Sequence, residues 1–476
     1  MGVHISNPNF RDTIGTIDAD GKRNYLHPRK TNGRYTNYRR LTSYALLLVL
    51  VGIPFIQVNG RPFMLFNIIE RKFILFGQTF WPADFFLAVL AMLILVLFVA
   101  AFTVAFGRLF CGWVCPQTIF MEHVFRRIEY WIDGDRNQQI RLSKMKWTAE
   151  KIRKRVFKNG IFYLISFGIS NVFMMYLVGQ PQWWKIVSDN PLNHISGLVT
   201  ILIFSGVFFF VFAWFREQVC IMVCPYGRLQ SVLLDRHSVV IAYDYIRGEI
   251  RSKFRKSENR KEEGKGDCID CNQCVEVCPT GIDIRNGTQL ECINCTACMD
   301  ACDNVMDKID LPKGLIRYDS EENIATYKKK IFTARVWGYS AVMIVLLTLF
   351  TFLLASRTNV EALVFRVPGQ LYQKVDEQTL SNLFNYKILN KSTDAMAVEI
   401  VLLEPKGELM MVGSNTLNLK EGDFAEGTLI VYLKRADLSK QTTKLKLGIL
   451  QNNEVIETVQ TSFSGPIVRK TKRQKP

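Results

Sequence analysis

Five stretches of the chain contain no charged side chain and are each about as long as a bilayer-spanning helix: Leu41–Val58, Phe85–Phe106, Gly160–Gly179, Ile195–Phe215 and Val336–Ala355. A helix needs about 20 mostly apolar residues to cross the hydrocarbon core, where only internal hydrogen bonds can satisfy the backbone. One such run could be a buried helix of a soluble protein. Five among 476 residues predict a helical membrane protein with five crossings. The second run is the clearest. The first is the shortest and contains Pro54, so its ends are the least defined.

Lys and Arg gather on one side of these runs. The amino-terminal arm, residues 1–40, carries Arg29, Lys30, Arg34, Arg39 and Arg40, and the segment between the second and third runs carries a dozen more, from Arg108 to Lys158. The opposite loops hold only Arg61, Arg71, Lys72 and Lys185. Cationic loops stay cytoplasmic, so the amino terminus is expected inside and the carboxyl terminus outside. The formal charge of +17 therefore reads as membrane topology. Nucleic acid is not an expected partner, because no helix-turn-helix, zinc finger or similar module is present. The first forty residues lack the apolar core of a cleavable signal, so the first run is expected to drive insertion and the arm to be poorly ordered. Trp81, Trp183 and Trp184 fall at the outer ends of runs, where indoles anchor at the lipid interface.

All twelve cysteines lie between Cys111 and Cys302. Eight form two copies of C-x2-C-x2-C-x3-C: Cys268, Cys271, Cys274 and Cys278, followed by Pro279, then Cys292, Cys295, Cys298 and Cys302. In two-cluster ferredoxins the fourth cysteine of each run ligates the other cluster. One 4Fe-4S cluster is thus expected on Cys268, Cys271, Cys274 and Cys302, and a second on Cys292, Cys295, Cys298 and Cys278. Zinc sites use pairs of cysteines instead of triplets at two-residue gaps. With every ligand position filled, these clusters would transfer single electrons without binding substrate at iron. Asp303 stands where a proline commonly follows the fourth cysteine, a departure expected to loosen that turn. Free thiolates imply a reducing compartment, in agreement with the charge bias.

The other four cysteines form C-x3-C-P pairs past the second and fourth runs: Cys111 and Cys115 before Pro116, Cys220 and Cys224 before Pro225. Arg108 precedes the first pair and Arg216 the second. Residues four apart share a helix face, so each pair would present two sulfurs one turn apart before proline kinks or ends the helix. If the two copies pack together, four sulfurs converge at the membrane surface. Soft thiolates suit Cu(I), zinc or iron–sulfur, and either metal binding or redox relay fits the pattern. Met121 and Met222 are candidate thioether ligands. His123 and His237 are candidate metal ligands, although a lone histidine on a polar stretch is more often simply solvated.

The linker Tyr245–Gly266, with Arg247, Arg251, Lys253, Arg255, Lys256, Arg260 and Lys261, reads as a solvated or lipid-headgroup-facing connector or as a docking patch for an acidic electron donor. From about Arg357 the apolar period becomes two. Strands are expected at Ala362–Val367, Leu383–Leu389, Ala397–Leu403, Leu409–Val412, Thr428–Leu433, Lys444–Leu450 and Glu454–Phe463, as in an immunoglobulin-like sandwich lacking a disulfide. The organisation that follows is an arm, 1–40; four transmembrane helices, 41–244; a linker with a two-cluster ferredoxin-like segment, 245–332; a fifth helix, 333–356; and an immunoglobulin-like β-sandwich, 357–476.

Together the twin C-x3-C-P motifs, the doubled ferredoxin run, the five spans and the β-domain resemble the FixG/CcoG/RdxA family of cytochrome c oxidase accessory proteins. Membrane polyferredoxins of nitrate and nitrous oxide respiration share the cysteine motifs only. The resemblance implies a bacterial inner-membrane protein with its ferredoxin segment cytoplasmic and its last domain periplasmic. It implies maturation of cbb3-type oxidase, with Cu(II) reduced to Cu(I) near Cys111, Cys115, Cys220 and Cys224 by electrons from a cytosolic donor. Oxidase subunits and copper chaperones or transporters are the implied partners. Two other readings fit the same residues: an electron conduit to a quinone or respiratory reductase, and a non-catalytic assembly scaffold.

Overall fold

The computed structural model describes residue 16 and residues 22–466, apart from 59, 68–71, 82–83, 257, 261, 329–332, 370, 393, 421 and 439–440. The basic tail after residue 466 lies outside the described residues, as do Arg71 and most of the first twenty. The chain divides into two compact units. One comprises the residues up to Gln78 together with Ala88–Leu349, and the other comprises Thr79–Leu87 and the chain from Phe350 onward.

The first unit contains α1 (Arg34–Gly52), α2 (Phe85–Phe106, entering at Ala88), α3 (Leu109–Trp113), α4 (Ala149–Val178), α5 (Ile195–Phe210), α6 (Pro225–Leu233), α7 (Ala297–Lys308) and most of α8 (Ala334–Ala355). Among the described residues, four helical runs are long and apolar enough to cross a membrane: α2, α4, Pro191–Phe215 (which contains α5) and α8. The expectation of five is met at four. The first half of α1 carries Arg34, Arg39 and Arg40, the helix stops at Gly52, and a 3-10 turn through Pro54 leads into the strand Gln57–Val58. Proline donates no backbone hydrogen bond and clashes with the preceding turn, so the regular helix ends at Gly52, before the apolar run ends at Val58. In contrast, α4 begins well before its apolar stretch, capped by Thr148, whose Oγ1 accepts from the Lys151 amide at 3.4 Å. Aromatic rings join α4 to the helical run that follows it. Phe173 lies 5.6 Å from Phe208, and Phe162 lies 4.8 Å from Phe125 of the segment before α4, which stacks on Phe212 at 4.6 Å.

An antiparallel pair, β1 (Val240–Tyr243) and β2 (Ile316–Asp319), brackets the cysteine-rich loops. Ile241 and Tyr243 pack with Cys268, Cys274, Met299, Met306 and Leu315 in one buried cluster. So small a core is stabilised chiefly by whatever its thiolates bind.

The second unit is a two-sheet sandwich. One antiparallel sheet runs β6 (Glu408–Met411), β8 (Phe424–Lys434), β4 (Thr379–Asn390), β3 (Val360–Arg366), and the other runs β7 (Thr416–Leu419), β5 (Met396–Glu404), β9 (Thr442–Gln451), β10 (Glu454–Ser464). Alternate residues of both sheets fill the core, among them Phe384, Ile388 and Val431 from one and Val398, Leu447 and Phe463 from the other. All seven expected strands are present. β7 escaped the period-two reading because it spans only four residues after the Gly413 turn. Asp84 is buried and accepts from Arg357 at 2.7 Å and Lys391 at 3.0 Å, tying the segment before α2 to this sandwich. Trp81 packs on Gly422, so it contacts protein as well as being available to lipid.

Candidate metal centre

The two cysteine runs share a backbone as well as a spacing. The third residue of each run, Asp270 and Asn294, is left-handed with φ of 50° and 52°. The fifth, Asn272 and Thr296, is left-handed with φ of 56° and 63°. Such conformations are costly for most side chains and mild for Asn and Asp; they fold each loop back on itself. The end of each run lies near the other run. Cys302 lies within electrostatic reach of Cys274, Cys268 and Cys271. Cys298 lies within reach of Cys295, Cys292 and Cys278. Both Cys298 and Cys302 stand on α7, one turn apart. A cavity between the runs is lined by Cys274, Cys278, Cys292, Cys295 and Cys298.

Among the described residues no three Cys, His, Asp or Glu groups close around a single ion. Thiols of both runs ring a shared cavity. Burial pushes the Cys274 and Cys292 thiols up to about 12, so they need a bound cation to stay ionised. Asp303 does not loosen its turn. α7 continues to Lys308, and the Asp303 carboxylate accepts from the Gly314 amide at 3.0 Å.

The C-x3-C-P pairs do not sit one turn apart on a single helix. α3 ends at Trp113, and Cys115 caps the next helix, with φ −58° and ψ 124° ahead of Pro116. Cys224 caps α6 in the same way, with φ −66° and ψ 110° ahead of Pro225. Proline at the first helical position has no donor to lose, so each pair is split across a helix junction. The repeat extends to the residue four places before each pair, which is left-handed in both copies: Gly107 at φ 58° and Arg216 at φ 53°. The four sulfurs do converge, with Cys220 in electrostatic reach of Cys115, Cys111 and Cys224. Burial pushes Cys111 up to about 11, opposed by Arg108. Met121 instead packs among Phe120, Phe125 and Phe162, and Met222 is half exposed.

The two copies clasp each other reciprocally. Arg108 reaches from the first copy to α6, donating to Gln230 Oε1 at 2.8 Å and to the Gly227 carbonyl at 2.7 Å. Gln230 Oε1 also accepts from the Cys111 thiol at 3.2 Å. Arg216 reaches from the second copy to Glu129, donating at 3.0 and 2.7 Å. Lys158 joins Glu129 at 3.4 Å and Asp133 at 2.6 Å. Burial opposes ionisation of Glu129, but Arg216, Lys158 and Arg126 hold its carboxyl at about 2.

This thiol quartet abuts the second cysteine loop. Cys111 shares a buried cluster with Ile293, Cys295 and Ala297. Buried Arg39 donates to the Gly112 carbonyl and to the Cys295 carbonyl, each at 2.9 Å. Trp113 donates to Tyr318 Oη at 3.1 Å, and Tyr318 donates to the Asn294 carbonyl at 3.2 Å. A Cβ on Gly112 would stand 2.4 Å from the Ile293 carbonyl oxygen and 2.7 Å from that of Asn294. Gly112→Ala should therefore destabilise the protein by about 1–3 kcal/mol through overpacking against rigid backbone. The check is the thermal midpoint and the retained acid-labile sulfide, with Gly168→Ala, where nothing lies within 4 Å, as the neutral control.

The described part of the arm is ordered by this site. Asp300, on α7, caps α1 by accepting from the Tyr35 amide at 3.1 Å and the Thr36 amide at 2.6 Å. His123 is buried, not solvated. Burial and the facing Arg39, Arg127 and Arg40 push it down to about 3, a setting hostile to a metal cation. The linker cations are largely committed internally. Arg247 pairs with Asp267, Arg251 with Glu249 at 2.8 Å, and Arg260 donates to the Gly266 and Cys268 carbonyls. Lys253, Arg255 and Lys256 remain exposed, and Lys261 lies outside the described residues.

Comparison with known proteins agrees with this geometry. Residues 215–321 match a family model described as a 4Fe-4S dicluster domain, and residues 88–140 match a 4Fe-4S binding domain. Residues 350–466 match the Ig-like fold at the C-terminus of FixG. Protein RdxA of Cereibacter sphaeroides is 33% identical over 432 residues, covering 86% of this chain and 88% of its own length. The chain belongs to the FixG/RdxA family. RdxB of the same organism is 31% identical, covering 81% of this chain and 83% of its own length. The nitrogen fixation protein FixG of Rhizobium meliloti is 34% identical, covering 71% and 67%. Like these FixG/RdxA relatives, the chain is a membrane-associated iron–sulfur electron-transfer protein.

Proposed function

We propose that the protein reduces Cu(II) to Cu(I) at the membrane edge, using one-electron equivalents from a cytosolic donor protein, to supply copper for cbb3-type oxidase maturation. The observation that carries this reading is the junction of two sulfur-rich sites. The thiol quartet of Cys111, Cys115, Cys220 and Cys224 shares buried packing and the Arg39 staple with the Cys292–Cys295 loop. Cys268, Cys271, Cys274 and Cys302 would hold one 4Fe-4S cluster, and Cys292, Cys295, Cys298 and Cys278 the other. Bound there, such clusters supply one-electron transfer. Cys271 is exposed, giving the donor an approach on the first tetrad. Cu(II) entering the quartet gains one electron and becomes Cu(I), the state that thiolates favour.

In this reading α1 completes a fifth crossing, with the amino terminus inside and the sandwich in the periplasm. Its first turn is held by Asp300 at the cysteine-rich end, and its Leu50 carbonyl accepts from Tyr176 Oη at 2.7 Å near the end of α4, so the two helices run the same way. Cys115→Ser with Cys224→Ser should lower Cu(II) reduction at least tenfold while leaving the cluster EPR signals intact. Undiminished reduction in that variant would remove copper from the quartet.

A second reading is favoured by one observation. The stretch 88–140 matches a 4Fe-4S binding model, yet Cys111 and Cys115 are its only cysteines, so a full ligand set there needs Cys220 and Cys224. On that reading the quartet holds a third cluster, and iron analysis would give about twelve atoms per chain instead of about eight.

A further inference from the structure

Beside the second cysteine run lies a cavity of about 70 Å³ with no part in the copper reading. Its polar lining includes Arg29, Lys30, Arg39, Arg40, His123 and Arg127, and its apolar wall is Val277, Pro279 and Ala297. Among the described residues the lining has one carboxylate, Glu122, already engaged by Arg126. Three buried side-chain nitrogens of this lining find no hydrogen-bond partner among the described residues: Arg39 Nη2, Arg40 Nε and His123 Nε2. Arg39 is 5% exposed and His123 8% exposed. Arg39 cannot swing away to find a partner, because its Nε and Nη1 are fixed on the Gly112 and Cys295 carbonyls. A buried donor left without an acceptor is costly, and three unpartnered nitrogens in one cavity call for an acceptor.

The ligand class follows from charge and size. Five cationic side chains repel a metal ion. Water could accept the hydrogen bonds but would leave the like charges uncompensated. One water needs about 10–15 Å³ of such a cavity, so the space takes a cluster of several oxygens. Guanidinium forks and a neutral imidazole N–H match the oxygens of a tetrahedral anion. The lining comes from the arm, the segment 122–130 and the cysteine loops, outside the four spanning helices, which favours a free anion over a lipid phosphate. We propose that this cavity binds a small tetrahedral oxyanion, sulfate or inorganic phosphate, seated beside the residues that neighbour Cys278 and Cys298.

The experiment is isothermal titration of detergent-solubilised, cluster-loaded protein with sulfate and with inorganic phosphate, against chloride at matched ionic strength. Iron content of each sample verifies the fold and the clusters independently of binding. Sulfate and phosphate should bind saturably and compete for one site, whereas chloride should not displace them. Arg40→Gln should weaken binding about tenfold or more, the loss of one charge-assisted bond, and Arg40→Lys should restore part of it. Lys30 is exposed and remote from any packing role, so Lys30→Gln gives a smaller weakening without risk to folding. No saturable heat with sulfate in the wild-type protein would overturn the proposal, as would unchanged affinity in both Arg40→Gln and Lys30→Gln. Binding of anionic-lipid vesicles alone, with no response to the inorganic anions, would overturn it in favour of a lipid phosphate.

Discussion

Cys278→Ser should abolish the cluster seated on Cys292, Cys295 and Cys298 and spare the one seated on its own run. The reason is the exchange of fourth ligands. Cys278 stands in reach of Cys298, and Cys302 stands in reach of Cys268, Cys271 and Cys274. Iron should fall from about eight to about four atoms per chain, and the surviving EPR signal should be that of the first tetrad. Cys302→Ser should give the reciprocal loss. Each variant also removes a link between the halves of the segment, so the remaining cluster should be lost faster to a chelator. Retention of both clusters in Cys278→Ser would sink the crossed assignment.

Glu129→Gln should be the most destabilising conservative change outside the cysteines. It leaves Arg216, Lys158 and Arg126 buried together without their shared carboxylate, and breaking a buried ion pair costs about 3–5 kcal/mol. The change also severs the clasp from Arg216 to the helix following Cys115. The pH dependence has a definite sign. The folded carboxyl is held at about 2, below the ordinary 4.5. Its stabilising contribution is therefore complete above about 4.5 and is lost as pH falls toward 2. Unfolding midpoints measured from pH 7 downward should fall along an acid limb in the wild-type protein, and that limb should be flatter in Glu129→Gln. A variant as stable as wild type at pH 7 would show that water or lipid compensates the cations.

Much of this centre is legible in the residues because sulfur chemistry is local. The spacing of Cys268–Cys278 and Cys292–Cys302 already implies tight loops, and the left-handed Asp270 and Asn294 are of the residue types that tolerate such backbone. The C-x3-C-P geometry is less legible. Four-residue spacing suggests one helical face, but proline's preference for the first helical position places Cys115 and Cys224 at caps instead. The reciprocal clasp is long-range, since Arg108 meets Gln230 and Arg216 meets Glu129 across more than eighty residues, so no local pattern reports it. One signal was available: an arginine just upstream of both pairs, where a membrane-edge cation needs a partner. The first helix shows the limit of counting uncharged residues. Leu41–Val58 holds no charge, yet Pro54 and the strand after it end the helix early.

The Asp300 cap has a consequence for biogenesis. Asp300 lies between Cys298 and Cys302 on α7, so the carboxylate that secures the start of α1 is delivered by a helix whose placement depends on two metal-binding thiols. The chain's earliest helix is thus anchored by one of its later acquisitions. Protein prepared without iron should therefore be cut by added protease near Arg34 faster than the loaded protein, as the loss of that clamp requires.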